Sequence, residues 1–143
     1  MFGIIFAIIA GISMSLQGVF NTRLQEKLGV WETTTFVQGS GFLLTIIVCL
    51  ILGKGNFKEL FNSNKLYLTG GAIGVLIIFT VINGIGALGT TQAIAIILVS
   101  QLLSASLIDA FGLFGTETIK FTLSKIIGVA VMVIGIVIFK WKS

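Results

Sequence analysis

Five long apolar runs, parted by short polar stretches, leave this chain almost no environment but lipid. They lie at 2–20, 34–52, 66–88, 93–113 and 124–140. Each of the first four is close to the 20 or so apolar residues a helix needs to cross a hydrocarbon core of ~30 Å. Their apolar character is continuous, not alternating, so neither a soluble strand nor the roughly 10-residue alternating segment of a membrane barrel fits. The fold class is therefore an all-α integral membrane protein of five transmembrane helices, with 1–143 as a single five-helix domain. The fifth run is the weakest. Its uninterrupted apolar part, 126–139, covers about 21 Å as a helix. Lys125 and Lys140 bracket that part and can snorkel, and Phe121 and Leu123 can extend it. Trp31 and Trp141 fall at one set of span ends and Tyr67 at the other, as interfacial aromatics do.

Composition excludes the competing classes. Of 143 residues, 56% are apolar and 10% charged, against about 25% charged in soluble domains; the mean hydropathy is +1.13. With no histidine, His-based triads and His metal sites are ruled out. Cys49 is the single cysteine and sits inside an apolar run, so no intrachain disulfide can form and no thiolate metal site is expected. No cofactor is expected, and no phosphate-binding G-x-x-x-x-G-K-[ST] loop occurs. The net charge of +4 comes from lysines flanking the spans, which suits anionic membrane lipid and not nucleic acid. The run at 2–20 has no basic residues before it and four spans after it, so it reads as a retained helix. The polar connections are 21–32, 53–65, the uncharged turn Gly89-Thr90-Thr91-Gln92, and 115–124.

Five spans place the two ends of the chain on opposite faces. Lys54, Lys58, Lys65, Lys120 and Lys125 then share the N-terminal face, and Arg23, Lys27, Lys140 and Lys142 the other, a split of five to four. Membrane orientation follows a marked Lys/Arg excess on the cytoplasmic side, and here that excess nearly vanishes. Insertion in both orientations is expected, the alternative being one orientation set weakly. Dual insertion would give an antiparallel homodimer of ten helices with an inverted two-fold axis, the two-chain form of the inverted repeat of many transporters. Pairing with a paralogous five-helix subunit is the alternative.

Small residues let helices approach closely. Gly3, Ala7, Gly11 and Ser15 form a stripe on the first helix, Gly70 and Gly74 one on the third, and Gly128 and Gly135 one on the fifth. They suit packing within one subunit or between two. Polar groups within spans should face the bundle interior or a cavity. Ser13, Gln17 and Asn21 stand at i, i+4 and i+8, while Gln38 and Asn83 lie at the same side of the membrane. These amides can converge on a pocket for a neutral, zwitterionic or weakly charged small molecule, or can fix helix packing by hydrogen bonds. Gln101, beside Ser100 and Ser104, lies near the middle of the fourth helix. Asp109, about two turns on, is the only carboxylate in any span. A charge at partial depth is costly, which marks Asp109 as a proton-coupling candidate; the alternative is an acid that reaches the headgroups or bonds backbone near Gly112–Gly115. No acid lies near the middle of the first helix, which disfavours strongly cationic substrates.

The first helix reads G-I-S-M-S-L-Q-G-V-F-N-T-R-L, the fourth S-Q-L-L-S-A-S-L-I-D-A-F-G-L-F-G, and the third opens G-G-A-I-G. In the order Gln-x3-Asn, then Gln-x7-Asp-x2-Gly, these motifs resemble the YdcZ-like family (domain of unknown function 606) of the drug/metabolite transporter superfamily, over essentially the whole chain. The resemblance implies a bacterial cytoplasmic (inner) membrane protein, a five-span subunit exporting small molecules, with Gln17, Asn21, Gln101 and Asp109 among the family's polar positions. A histidine often follows the family aspartate; Ala110 stands here, which puts an Asp-His proton pair in doubt.

The expected function is a secondary transporter subunit, not an enzyme, working as a dimer by alternating access. Gln17, Asn21, Asn83, Gln101 and Gln38 would line its site. A non-transporting partner of a larger membrane complex is the second reading. An intramembrane enzyme would need clustered acid/base groups, and Asp109 stands alone.

Overall fold

The computed structural model describes residues 2–120 and 122–140, apart from the Lys140 side chain. Every regular element among the described residues is helical: α1 (Phe2–Leu28), α2 (Val30–Leu52), α3 (Gly70–Leu88), α4 (Thr90–Phe111) and α5 (Leu123–Lys140), with short 3-10 turns at Phe57–Asn62, Lys65–Thr69 and Leu113–Gly115. Four stretches are long and apolar enough to cross a membrane, namely Phe2–Leu28, Val30–Leu52, Lys65–Leu88 and Thr90–Phe111; Leu123–Phe139 is a shorter apolar helix. The chain divides into two compact units, Met1–Ala87 and Leu88–Ser143. Phe121, expected to extend the fifth run, and Trp141, expected at the interface, lie outside the described residues.

Helix ends depart from the hydropathy pattern in a systematic way. The polar stretch 21–32, expected as a loop, is helical except at Gly29. So α1 runs eight residues past its expected end, and α2 starts four residues early. Hydropathy reports where lipid stops, not where the helix stops. At 1.5 Å per residue the 27 residues of α1 span about 40 Å, well beyond a hydrocarbon core of ~30 Å. Its last two turns therefore belong to the headgroup layer, where Arg23 Nη1 meets Glu26 Oε1 at 3.0 Å. Gly29 alone breaks the run. Its φ of 94° is open to glycine and costly for other residues, and a side chain there would meet the Glu32 carboxylate at 2.5 Å. The expected turn at 89–92 shrinks likewise to Gly89, and α4 begins at Thr90 and ends at Phe111 instead of 113. The third run starts as a 3-10 turn and becomes α-helical at Gly70.

Within the first unit, α1, α2 and α3 meet near the Gly29 corner. Their buried residues are Gly18, Asn21 and Thr22 on α1, Thr33 and Thr34 on α2, and Ile78, Ile82 and Ile85 on α3. Away from the corner, residues 2–14 of α1 and 39–52 of α2 are all exposed.

In the second unit α4 packs on α5. Ala93, Val99 and Ser106 are buried on α4, with Val99 and Ser106 one heptad apart. The half-buried positions of α5 are Lys125, Val129, Met132 and Ile136. Steps of four, three and four keep such positions on one helix face. At the far end of α4, Gly112 takes the left-handed conformation with φ 59°, and the Asp109 carbonyl accepts from Gly112 N–H at 3.3 Å and Ile119 N–H at 2.9 Å. The returning chain thus satisfies a carbonyl that the helix end would leave orphaned.

Candidate functional site

The tightest part of the first unit is where the end of α1, the start of α2 and α3 converge. Gly18 lets α3 approach: a Cβ there would come within 2.8 Å of Ile85 Cδ1 and 3.2 Å of Val81 Cγ1. Trp31 stacks on Phe79 with ring centroids 4.8 Å apart and planes 17° from parallel. The Gln38 amide lies over Gly74, its Nε2 2.9 Å from the place a Cβ would take. Three contacts between different helices therefore tie this end together, and each depends on a small or flat residue facing a large one.

Its interior is polar. Asn21 is 6% exposed and Thr33 fully buried, with Thr22 and Thr34 beside them in sequence and also buried. Two of the threonines satisfy themselves locally: the Thr22 hydroxyl donates to the Gly18 carbonyl at 2.8 Å, and Thr34 to the Val30 carbonyl at 2.8 Å. The Thr33 hydroxyl has no hydrogen-bond partner among the described residues. A buried hydroxyl without one carries its full desolvation cost, about 1–3 kcal/mol.

The structure buries only part of the expected amide set. Asn21 is buried and Gln38 half-buried, Gln38 touching α3 through Gly74. Gln17 and Ser13, placed with Asn21 by their spacing of four, are exposed. A strict step of four advances about 40° per step around an α-helix, so three such positions fan out. The inward face of α1 instead follows Ser15, Gly18, Thr22 and Gln25, whose alternating steps of three and four hold one face. Asn83 is exposed, and its amide nitrogen donates to the Phe79 carbonyl of its own helix at 2.7 Å. In the second unit, Gln101 is exposed and Asp109 half-buried in the last turn of α4. Of the expected packing glycines, Gly74 has a neighbour from another helix, while Gly3, Gly11, Gly70, Gly128 and Gly135 have open space where a side chain would go.

With this geometry in view, the comparison with known families is decisive on class. The family model described as "Putative inner membrane exporter, YdcZ" matches residues 2–138. The chain belongs to the YdcZ family. It is a multi-pass inner-membrane protein of an exporter family, a transporter class and not an enzyme class. No curated protein and no solved structure matches it.

For a YdcZ-family chain, the buried threonines are the residues that spacing arguments passed over. Their signal was present: Thr33-Thr34-Thr35 follows Trp31-Glu32 directly, and a threonine run at the start of a span is polar yet able to bond its own helix. Gly18 was passed over too, because it lies three residues, not four, beyond Ser15.

Proposed function

We propose that this YdcZ-family chain is half of a secondary active exporter of small molecules, all five helices crossing the membrane and two copies pairing in opposite orientations. Gln17 and Gln101 carry the proposal, since both amides are exposed on apolar helices of the single chain. An amide facing hydrocarbon without partners costs several kcal/mol, so these positions call for a covering surface or a water-filled path. A second copy supplies both. The near-even five-to-four division of basic residues supports opposed insertion, and the inverted two-fold arrangement provides alternating access around a midplane site. Gln17, Asn21, Gln38, Asn83 and Gln101 then line the path, and Asp109 is the group through which protons couple.

Two measurements test this. In proteoliposomes of the purified protein, proton-linked solute movement is expected, and Asp109→Asn should abolish it while leaving ligand binding measurable. Inert vesicles favour the reading as a non-transporting partner subunit, and undiminished flux in the variant removes Asp109 from the mechanism. A C-terminal reporter should be found on both sides of the membrane, and three added lysines at one end should bias it. A reporter on one side only would leave pairing with a paralogous five-helix subunit as the sole form of the dimer.

A further inference from the structure

Residues 53–69 join α2 to α3, and 53–65 read in sequence as a solvated polar connection, with Lys54, Lys58, Lys65 and four asparagine or serine residues. The structure gives them a different character. They form two successive 3-10 turns, each opened by an asparagine: Asn56 Oδ1 accepts from Lys58 N–H at 3.0 Å and Asn64 Oδ1 from Leu66 N–H at 3.0 Å. Ser63 closes the first turn, its hydroxyl donating to the Glu59 carbonyl at 2.8 Å. These caps hold the backbone so that large apolar side chains stand outward. Phe57 is 77% exposed and Phe61 90% exposed, and Leu66 and Tyr67 are exposed in the next turn.

A capped loop presenting phenylalanines to water would be a liability. At a membrane surface the same arrangement is an anchor, because aromatic side chains favour the headgroup level. Leu50, Ile51 and Leu52 at the end of α2 are exposed as well. Three lysines against the single Glu59 give the segment a positive balance, complementary to anionic headgroups. A trough of about 520 Å³ runs between the end of α2 and the first 3-10 turn, lined by apolar Leu50, Phe57 and Leu60 and by polar Asn56, Glu59 and Ser63.

We propose that residues 53–69 are an interfacial anchor that docks on the anionic phospholipid surface, with Phe57 and Phe61 inserted below the headgroups and Lys54, Lys58 and Lys65 on the phosphates. Its role is to fix the depth of the α2 and α3 ends in the bilayer. Nitroxide labels read depth directly. Single cysteines at positions 57, 61 and 62 are introduced one at a time in a Cys49→Ala background of the full chain, in vesicles with and without phosphatidylglycerol. Labels at 57 and 61 should collide with oxygen in preference to a water-soluble nickel chelate, and the label at 62 the reverse. Each lysine at an anionic surface favours docking about fivefold, so Lys58→Gln should lower the oxygen preference at 61 in anionic vesicles, as omission of phosphatidylglycerol should. If labels at 57 and 61 meet nickel as often as the label at 62, the anchor does not exist. If their depth is the same in neutral and anionic vesicles, the lysines do not hold the headgroups and the proposal fails on that count.

Discussion

The two ends of the first unit are built from the same three helices and could hardly differ more. At the Gly29 end, Gly18, Asn21, Thr22, Thr33, Thr34 and three isoleucines are buried within one chain. At the other end, residues 2–14 and 39–52 touch so little that all are exposed. Apolar surface cannot explain the difference, since lipid is as good a neighbour for isoleucine as another helix is. What separates the ends is shape and polarity. The packed end has a glycine facing an isoleucine, a tryptophan flat on a phenylalanine, and a buried amide and hydroxyls. The open end has mostly apolar side chains that lipid satisfies, with the Ser40 and Thr45 hydroxyls bonded to carbonyls of their own helix. Intramembrane cohesion in this chain is therefore a matter of fit and of polar groups, and hydropathy is blind to both.

The largest test of that contrast compares two glycines of α1. Gly18→Leu drives a side chain into Ile85 and Val81, and overpacking of this kind costs about 1–3 kcal/mol. Gly11→Leu meets open space and should leave the unfolding midpoint in detergent nearly unchanged. Equal losses at both positions would mean that the open end is closed in the working protein, and would locate a contact the single chain does not make.

The same contrast explains what could be read beforehand. All five helices were legible as apolar runs, because solvation by lipid is a property of composition. Their ends were not, since Arg23, Glu26 and Lys27 leave the hydrocarbon without leaving the helix. Of the candidate site, Asn21 and Gln38 were found by being polar in an apolar run. Which amides the single chain buries was not legible: a spacing of four sets Gln17 beside Asn21, whereas the packed stripe steps through Gly18 and Thr22 and leaves Gln17 exposed. Which face of a membrane helix turns inward depends on small residues and on hydroxyls that bond their own backbone, and both look unremarkable beside isoleucine and phenylalanine.

Thr33 sharpens the comparison next, with an effect opposite in sign. Its hydroxyl is buried at the packed end without a partner among the described residues, so Thr33→Val, which keeps the shape, should raise stability by about 1 kcal/mol. Thr22→Val and Thr34→Val remove hydroxyls already bonded to helix carbonyls and should gain less. Thermal unfolding of the three variants in one detergent checks the order. If the Thr33→Val protein is more stable but slower in transport, the hydroxyl is kept for a ligand or water during turnover. If it is less stable, the hydroxyl finds a partner in the assembled protein.

The smallest effect on stability is expected where charge is most visible. Arg23 and Glu26 pair at 3.0 Å on the polar turns of α1, but both side chains are more than half exposed, and a pair at that spacing contributes only about 0.2–0.5 kcal/mol. Arg23→Gln should therefore leave unfolding almost untouched. Its effect should fall on orientation. Removing Arg23 takes one charge from the smaller set of the five-to-four division, and positive residues prefer the cytoplasmic side. A C-terminal reporter should then shift toward the orientation that keeps Lys54, Lys58 and Lys65 inside. Stability and topology are in this way separable: fit at the Gly29 end governs the first, and a balance of single charges at the helix ends governs the second. A chain that loses stability but keeps its reporter ratio on Arg23→Gln would reverse that assignment and place the ion pair among the contacts that hold the packed end together.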